Sequence, residues 1–243
     1  MFREIIAHDQ MVNPVRYDCF TCKARTCSIL NSCGKDALRA ISTNKVSKTL
    51  VKGENLFSEG ELKRGISFIK KGFLKVELNG KTGRPLILRI AGKGSVFGHR
   101  INPDHMFYPY TVKAVSDVEY CFVSYNQFKE ISGKNILLRQ QLVNLFLQEL
   151  EMAEKRALYL AHKTVRQKVG EALLILAESY EYKEGSPSFK IAMGRQDIAD
   201  LAGTTKEQVS KILKEFEKEG HIRFTAKKFS YLNIPMLKNI STI

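Results

Sequence analysis

The chain's 243 residues, 44% hydrophobic and 26% charged, suffice for one large or two small domains and exclude disorder over the whole length. No window approaches roughly 18 uncharged apolar residues, and the opening Met1-Phe2-Arg3-Glu4 lacks an apolar signal core, so a cytoplasmic chain with no membrane partner is expected. Thirty-nine Lys and Arg stand against 25 Asp and Glu, a net charge of +14 that suits a polyanionic partner.

Residues 1–34 hold too few large apolar side chains to bury a core of their own, and read as an arm. Four of the five cysteines lie here: Cys19, Cys22, Cys27 and Cys33. A clustered, odd set of thiols in a reducing compartment points to metal or redox chemistry rather than a disulfide scaffold. The fifth is Cys121.

Residues 35–130 form a second block whose texture, from about 46 to 125, is β. Apolar residues alternate or cluster over strand lengths at 65–69, 73–78 and 85–90, and glycines punctuate them. Asn79-Gly80 followed by Gly83 reads as a hairpin connection. Many short strands at this spacing predict an antiparallel sandwich or barrel of jelly-roll type.

Residues 131–163 predict a long helix, set off by Gly133 from a shorter helix before it and running roughly 40 Å. Val143, Phe146, Leu150, Ala153, Ala157 and Leu160 repeat at alternating spacings of 3 and 4, the seam of a coiled coil. A second stripe, Leu138, Leu142, Leu145 and Met152, lies alongside. Two stripes suggest that one face meets the β domain and the other a second copy of the chain. A single wide core-facing stripe in a monomer is the rival reading.

The last block, 164–243, opens with an amphipathic helix that stops at the breaker cluster Lys183-Glu184-Gly185-Ser186-Pro187. The stretch from Arg195 to Leu213 then reads as a helix-turn-helix. Ile198, Ala199 and Leu201 face inward, Gly203 makes the turn, and Thr204 or Thr205 caps the next helix with Glu207 or Gln208 completing a capping box. Val209, Ile212, Leu213 and Phe216 give that helix its buried stripe, which leaves Lys206, Glu207, Ser210, Lys211 and Lys214 outward. Glu207 can accept from cytosine N4, Ser210 can bond either way, and Lys211 can donate to guanine O6 and N7. Thr204, Thr205 and the helix N-terminus suit a phosphate, and Lys214 adds charge one turn later. His221-Ile222-Arg223-Phe224 and Ser230-Tyr231-Leu232-Asn233-Ile234 flank Lys227-Lys228 like the strands of a basic-tipped wing. An ordinary helical hairpin with a solvated charged face is the bland alternative.

A β-roll, a long helix and a winged helix-turn-helix in this order resemble the catabolite-activator and FNR (Crp/FNR) superfamily of transcription regulators, from about Lys45 to Ile234. The resemblance implies an α+β chain: a cyclic-nucleotide-binding-like β-roll, a dimerisation helix and a C-terminal DNA-binding domain. It implies a homodimer on a near-palindromic double-stranded DNA site, with RNA polymerase as a further partner and no enzyme activity. Glu207-x-x-Ser210-Lys211 looks like the FNR-branch recognition motif, with Lys in place of the family's Arg, so the planar bidentate fork for guanine is missing. Ser132-Gly133-Lys134 before Leu138-Arg139-Gln140-Gln141 is also FNR-like.

Cyclic-nucleotide members of that superfamily carry a Gly-Glu pair for the ribose and an Arg-Ser or Arg-Thr pair for the phosphate. Here the matching stretches read Phe97-Gly98-His99-Arg100 and Tyr108-Pro109, so no cyclic nucleotide is expected. FNR-type oxygen sensors instead hold a [4Fe–4S] cluster on three N-terminal cysteines and one from the roll. By resemblance Cys19, Cys22, Cys27 and Cys121 would be those ligands, one cluster per subunit, with Cys33 as an alternative third ligand because the Cys22–Cys27 gap is one residue short. Two rivals stand beside this: a zinc knuckle on the arm, with Cys121 merely a buried core thiol, and a metal-free thiol switch. A cysteine-based redox or electron-transfer protein is the alternative of another class, though no second ferredoxin motif supports it. His8, His99, His105 and His162 have no metal-like spacing and read as surface or structural.

Overall fold

The computed structural model describes residues 18–80, 83–100, 106–183, 189–190, 193–225 and 228–242. The first half of the cysteine arm, His8, His105, most of the breaker cluster after Lys183, and Lys227 at the expected wing tip lie outside the described residues.

Two short 3-10 turns, Arg25–Cys27 and Ile29–Ser32, lead into helix α1 (Lys35–Asn44). Eight strands follow: β1 (Val46–Leu50), β2 (Asn55–Phe57), β3 (Gly65–Lys71), β4 (Leu74–Asn79), β5 (Pro85–Ala91), β6 (Val96–Phe97), β7 (Thr111–Ala114) and β8 (Val118–Ser124). They pair antiparallel in two four-stranded sheets, β1-β8-β3-β6 and β2-β7-β4-β5. That is the jelly roll that the glycine-punctuated alternation predicts. The β4–β5 hairpin expected here forms, with Asn79 opposite Pro85 and the Gly80 N–H donating to the Arg84 carbonyl at 3.2 Å. Its connection is longer than a two-residue Asn-Gly turn, and Gly83, at φ +75°, takes a left-handed position.

Between the sheets pack Phe57, Ile69, Leu74, Val76, Phe97 and Val112. β3 is buried on both faces: Ile69 joins that core, whereas Ile66 and Phe68 face a second one. The second core is built by the arm and the helices, with Leu30, Leu38, Ile41, Phe128 and Leu138 closing over the sheet's outer surface. Residues 18–34 are thus bound into the roll. Gly94 permits part of this contact: at φ +87° it sits where a Cβ would lie 2.3 Å from the Cys27 carbonyl oxygen.

α2 (Tyr125–Gly133) precedes α3 (Ile136–His162), which starts on an Asn135 cap and runs 27 residues without a break. Its two stripes separate in the first half of the helix, whereas Ala153, Ala157 and Leu160 of the expected seam border a cavity that Val76, Leu88 and Arg89 of the roll also line. Leu138 is buried, and Leu142 and Leu145 pack half-buried on the second core. Val143, Phe146 and Leu150 are 39–55% exposed, and Leu147 and Leu158 add to that open face. Met152, placed on the roll-facing stripe by spacing, is 49% exposed and borders the same roll–helix cavity. Leu160, at the end of the open stripe, is half-buried beside the turn at Gly203, where an added Cβ would lie 3.0 Å from Leu160 Cδ2.

The last block holds α4 (Val165–Ser179), β9 (Phe189–Lys190), α5 (Arg195–Ala202), α6 (Lys206–Lys218), β10 (Ile222–Thr225), β11 (Lys228–Leu232) and α7 (Ile234–Ser241). Thr164 and Gln167 form a reciprocal capping box at the start of α4. Val169, Leu173, Leu176, Ile198, Leu201, Val209, Leu213 and Phe216 make one core with Ile222, Phe229 and Leu232 of the wing. Ile87 of the roll enters the same core, so the domain rests directly on β5.

Candidate nucleic-acid interface and sulfur site

Gly203 ends α5 at φ +64°, ψ +43°, its N–H donating to the Ala199 carbonyl. This left-handed corner, which costs a residue with a Cβ about 1 kcal/mol, turns the chain into α6. Thr205 is the cap, accepting from the Gln208 N–H at 3.3 Å. The Gln208 side chain bonds Thr204 rather than closing a capping box. Val209, Ile212, Leu213 and Phe216 are buried, which fixes which face of α6 is left to solvent.

On that face Glu207, Ser210, Lys211, Lys214 and Lys218 line one open concavity, together with Glu215. Lys206 is exposed but lies outside it, and Thr204 and Thr205 sit half-buried at its N-terminal end. The Glu207 carboxyl is held below the usual carboxylate range, first by its own backbone N–H and then by the Thr205 hydroxyl. It is therefore an acceptor at neutral pH. The Ser210 hydroxyl donates to the Lys206 carbonyl at 2.8 Å, which leaves its lone pairs outward. Lys218, seven residues beyond Lys211, was not singled out from the sequence, although two helical turns of spacing place it on the same face. β10 and β11 pair antiparallel beside α6, with Ile222 opposite Leu232. The contact set carries Glu207 at its N-terminal end and three lysines with Glu215 along its length, groups that can meet base edges and phosphates.

The cysteines divide. Cys19, Cys22 and Cys121 line one small cavity of about 30 Å³ between the arm and the outer sheet, which Arg25, Lys45 and Lys70 also line. Cys19 Sγ accepts from Lys45 Nζ at 3.0 Å. Cys33 is 1% exposed in the same apolar cluster, its thiol donating to the Leu30 carbonyl at 3.3 Å. Cys27 is exposed against Gly94 and does not reach the cavity. Burial pushes the Cys33 and Cys121 thiols up, and the neighbouring Cys19 adds to both shifts. Among the described residues no three Cys, His, Asp or Glu side chains are grouped as a metal site. The donor set nonetheless fits a thiolate-held group in kind, since three cations border the cavity and offset the charge that deprotonated sulfurs would bring.

Comparison with known proteins bears on both regions. Residues 47–135 match the model of the cyclic nucleotide-binding domain, and residues 167–240 that of the Crp-like helix-turn-helix domain. The chain belongs to the Crp/FNR family. Among curated relatives of this Crp/FNR protein, the Vibrio cholerae fumarate and nitrate reduction regulatory protein is 27% identical over 216 residues, 88% of this chain and 85% of that one. The nitrogen fixation regulation protein FixK of Bradyrhizobium diazoefficiens is 27% identical over 213 residues, 87% and 89% of the two chains. The fold is shared with the solved structure of FixK2 from Bradyrhizobium japonicum, at a TM-score of 0.73 and 22% identity, covering 82% of this chain and 98% of that one. With a roll, a long helix and this helix-turn-helix, the Crp/FNR chain is a DNA-binding transcription regulator in type. Among the described residues no helix is long and apolar enough to cross a membrane.

Proposed function

We propose that the chain works as a homodimer on a near-palindromic DNA site, and that an oxygen- or nitric-oxide-labile [4Fe–4S] cluster on the N-terminal cysteines and Cys121 gates it. The observation that carries the gating is the shared cavity of Cys19, Cys22 and Cys121, thiols drawn from the arm and from β8 of the roll. Cys27 or Cys33 would complete the set. When bound, such a cluster supplies iron–sulfur bonds that oxidants break. The chain's own residues carry the consequence.

Cys19, Cys33 and Cys121 belong to the same packed cluster as Leu138, on which Leu142 and Leu145 of α3 rest. Any rearrangement of the arm therefore reaches the root of the helix through direct contact. The opposite face of α3 offers Val143, Phe146 and Leu150 to a second copy. Pairing there would set two α6 helices to enter successive major grooves, about 34 Å apart. A bias of a few kcal/mol on that pairing is enough to switch operator occupancy. RNA polymerase would be the downstream partner.

Purification without air tests this. A brown protein containing iron and sulfide, bleaching in oxygen with loss of operator binding, is the expected result. Zinc without visible absorption, or a colourless metal-free chain, would instead leave a knuckle or a thiol switch.

A further inference from the structure

The roll-facing stripe of α3, Leu138, Leu142 and Leu145, continues at its next step with a carboxylate. Glu149 is 7% exposed. Its Oε1 accepts from Arg89 Nη2 at 2.8 Å, and its Oε2 accepts from Arg100 Nη2 at 3.0 Å and Arg100 Nε at 3.2 Å. His99 Nε2 lies 3.1 Å from the same Oε2. All three basic groups belong to the roll, on β5 and just after β6, whereas the carboxylate belongs to the helix. Arg89, Arg100 and Glu149 border a cavity of about 240 Å³ between the two, with Tyr110 and Arg156. Burial by itself would raise the Glu149 carboxyl, but the hydrogen bond and charge of His99, then the charges of Arg89 and Arg100, bring it down to about 2. It is an anion at neutral pH.

The roll matches a domain described as cyclic nucleotide-binding, and a cyclic phosphate is a monoanion that needs a guanidinium. Here Arg89 and Arg100 are already engaged by Glu149, and the third guanidinium on the cavity, Arg156, donates to the Leu201 carbonyl. An entering phosphate would have to break four polar contacts and sit beside the displaced carboxylate, two like charges in a half-buried site. The group implied by the domain does not fit. We propose that Glu149 is a resident anion, closing the roll–helix cavity to cyclic nucleotides and other free phosphates and tying the roll to α3 with no ligand required. This inference is independent of the sulfur chemistry and stands whether or not the chain carries iron.

The test uses the full chain and three probes: cyclic AMP, cyclic GMP and inorganic phosphate. Equilibrium dialysis of the natural chain should show none of them bound, and hydrogen exchange should show α3 protected around residue 149 without ligand. In Glu149→Gln, which keeps the shape and removes the charge, phosphate affinity should rise at least tenfold. Protection of α3 should fall in that variant and return when phosphate is added, a rescue that a merely structural role would not give. Nucleotide or phosphate binding by the natural chain that is lost in Arg100→Gln overturns the proposal, and that arm does not depend on the Glu149 variant folding. A folded Glu149→Gln chain with unchanged phosphate affinity, or with α3 equally protected, overturns it as well.

Discussion

Lys75, on β4 of the roll, places its ammonium 3.0 Å from Asp197 of α5, 122 residues away in sequence. The same ammonium lies 2.9 Å from Glu77, and its side chain is 12% exposed. Burial alone would lower the lysine's pKa, but the hydrogen bonds to Glu77 and Asp197 outweigh it and raise the group. The other oxygen of Asp197 caps α5, accepting from the Gly194 N–H at 2.8 Å. One aspartate therefore starts the helix-turn-helix and docks it on the roll, beside the Phe73–Tyr180 stack and the bond from Arg156 to the Leu201 carbonyl.

Replacing Lys75 with Met should weaken that docking, leaving Glu77 and Asp197 without their cation. A loss of about 2 kcal/mol in stability is expected. Chemical denaturation and hydrogen exchange across α4 and α5 would measure it, and unchanged exchange in α5 would remove the docking role.

Glu207→Ala should cost roughly tenfold in affinity per half-site on the preferred sequence and nothing on random DNA, since a good base contact contributes about 1–3 kcal/mol. Lys214→Ala should weaken both equally and lower the salt slope by about 1 per subunit. Equal losses on both DNAs for Glu207→Ala would assign that carboxylate to the phosphates or to the fold.

Leu150→Lys should split the dimer. Burying one leucine contributes about 2 kcal/mol, so two copies lose about 4 kcal/mol, near a thousandfold in dimer dissociation constant, before the like charges are counted. Sedimentation should then find monomers at concentrations where the natural chain pairs. A monomeric natural chain would end the coiled-coil assignment.

Because Glu149 is depressed in the folded chain, its stabilisation is present above the ordinary carboxylate range and disappears as pH falls towards about 2. The natural chain should exceed Glu149→Gln by about 3 kcal/mol at pH 6, from about 1.4 kcal/mol per tenfold in proton affinity. The two should converge between pH 4.5 and 2, as followed by acid-titrated unfolding.

In anaerobic single variants, Cys19→Ser, Cys22→Ser and Cys121→Ser should each abolish any iron the natural chain holds. The burial of Cys33 beside Cys19 predicts that Cys33→Ser does the same while Cys27→Ser does not. Iron content decides, and the reverse result would mean that the turn carrying Cys27 swings inward on loading.

Much of the fold was legible because its signals are local. Gly203 at the corner, Thr205 at the cap and the 3–4 repeat of α3 each act through near neighbours in sequence, so residue order determined the roll, the long helix and the reading head of α6. The stripe Leu138, Leu142, Leu145, Met152 skips position 149, where an acid stands. That acid's meaning could not be had from periodicity, since Arg89, His99 and Arg100 lie some 50 to 60 residues upstream and meet it only when α3 docks on the roll. The same holds for Lys75 with Asp197, and for which cysteines share a cavity. Charge and sulfur act over a few ångströms in space whatever their separation along the chain, so tertiary structure alone decided those partners.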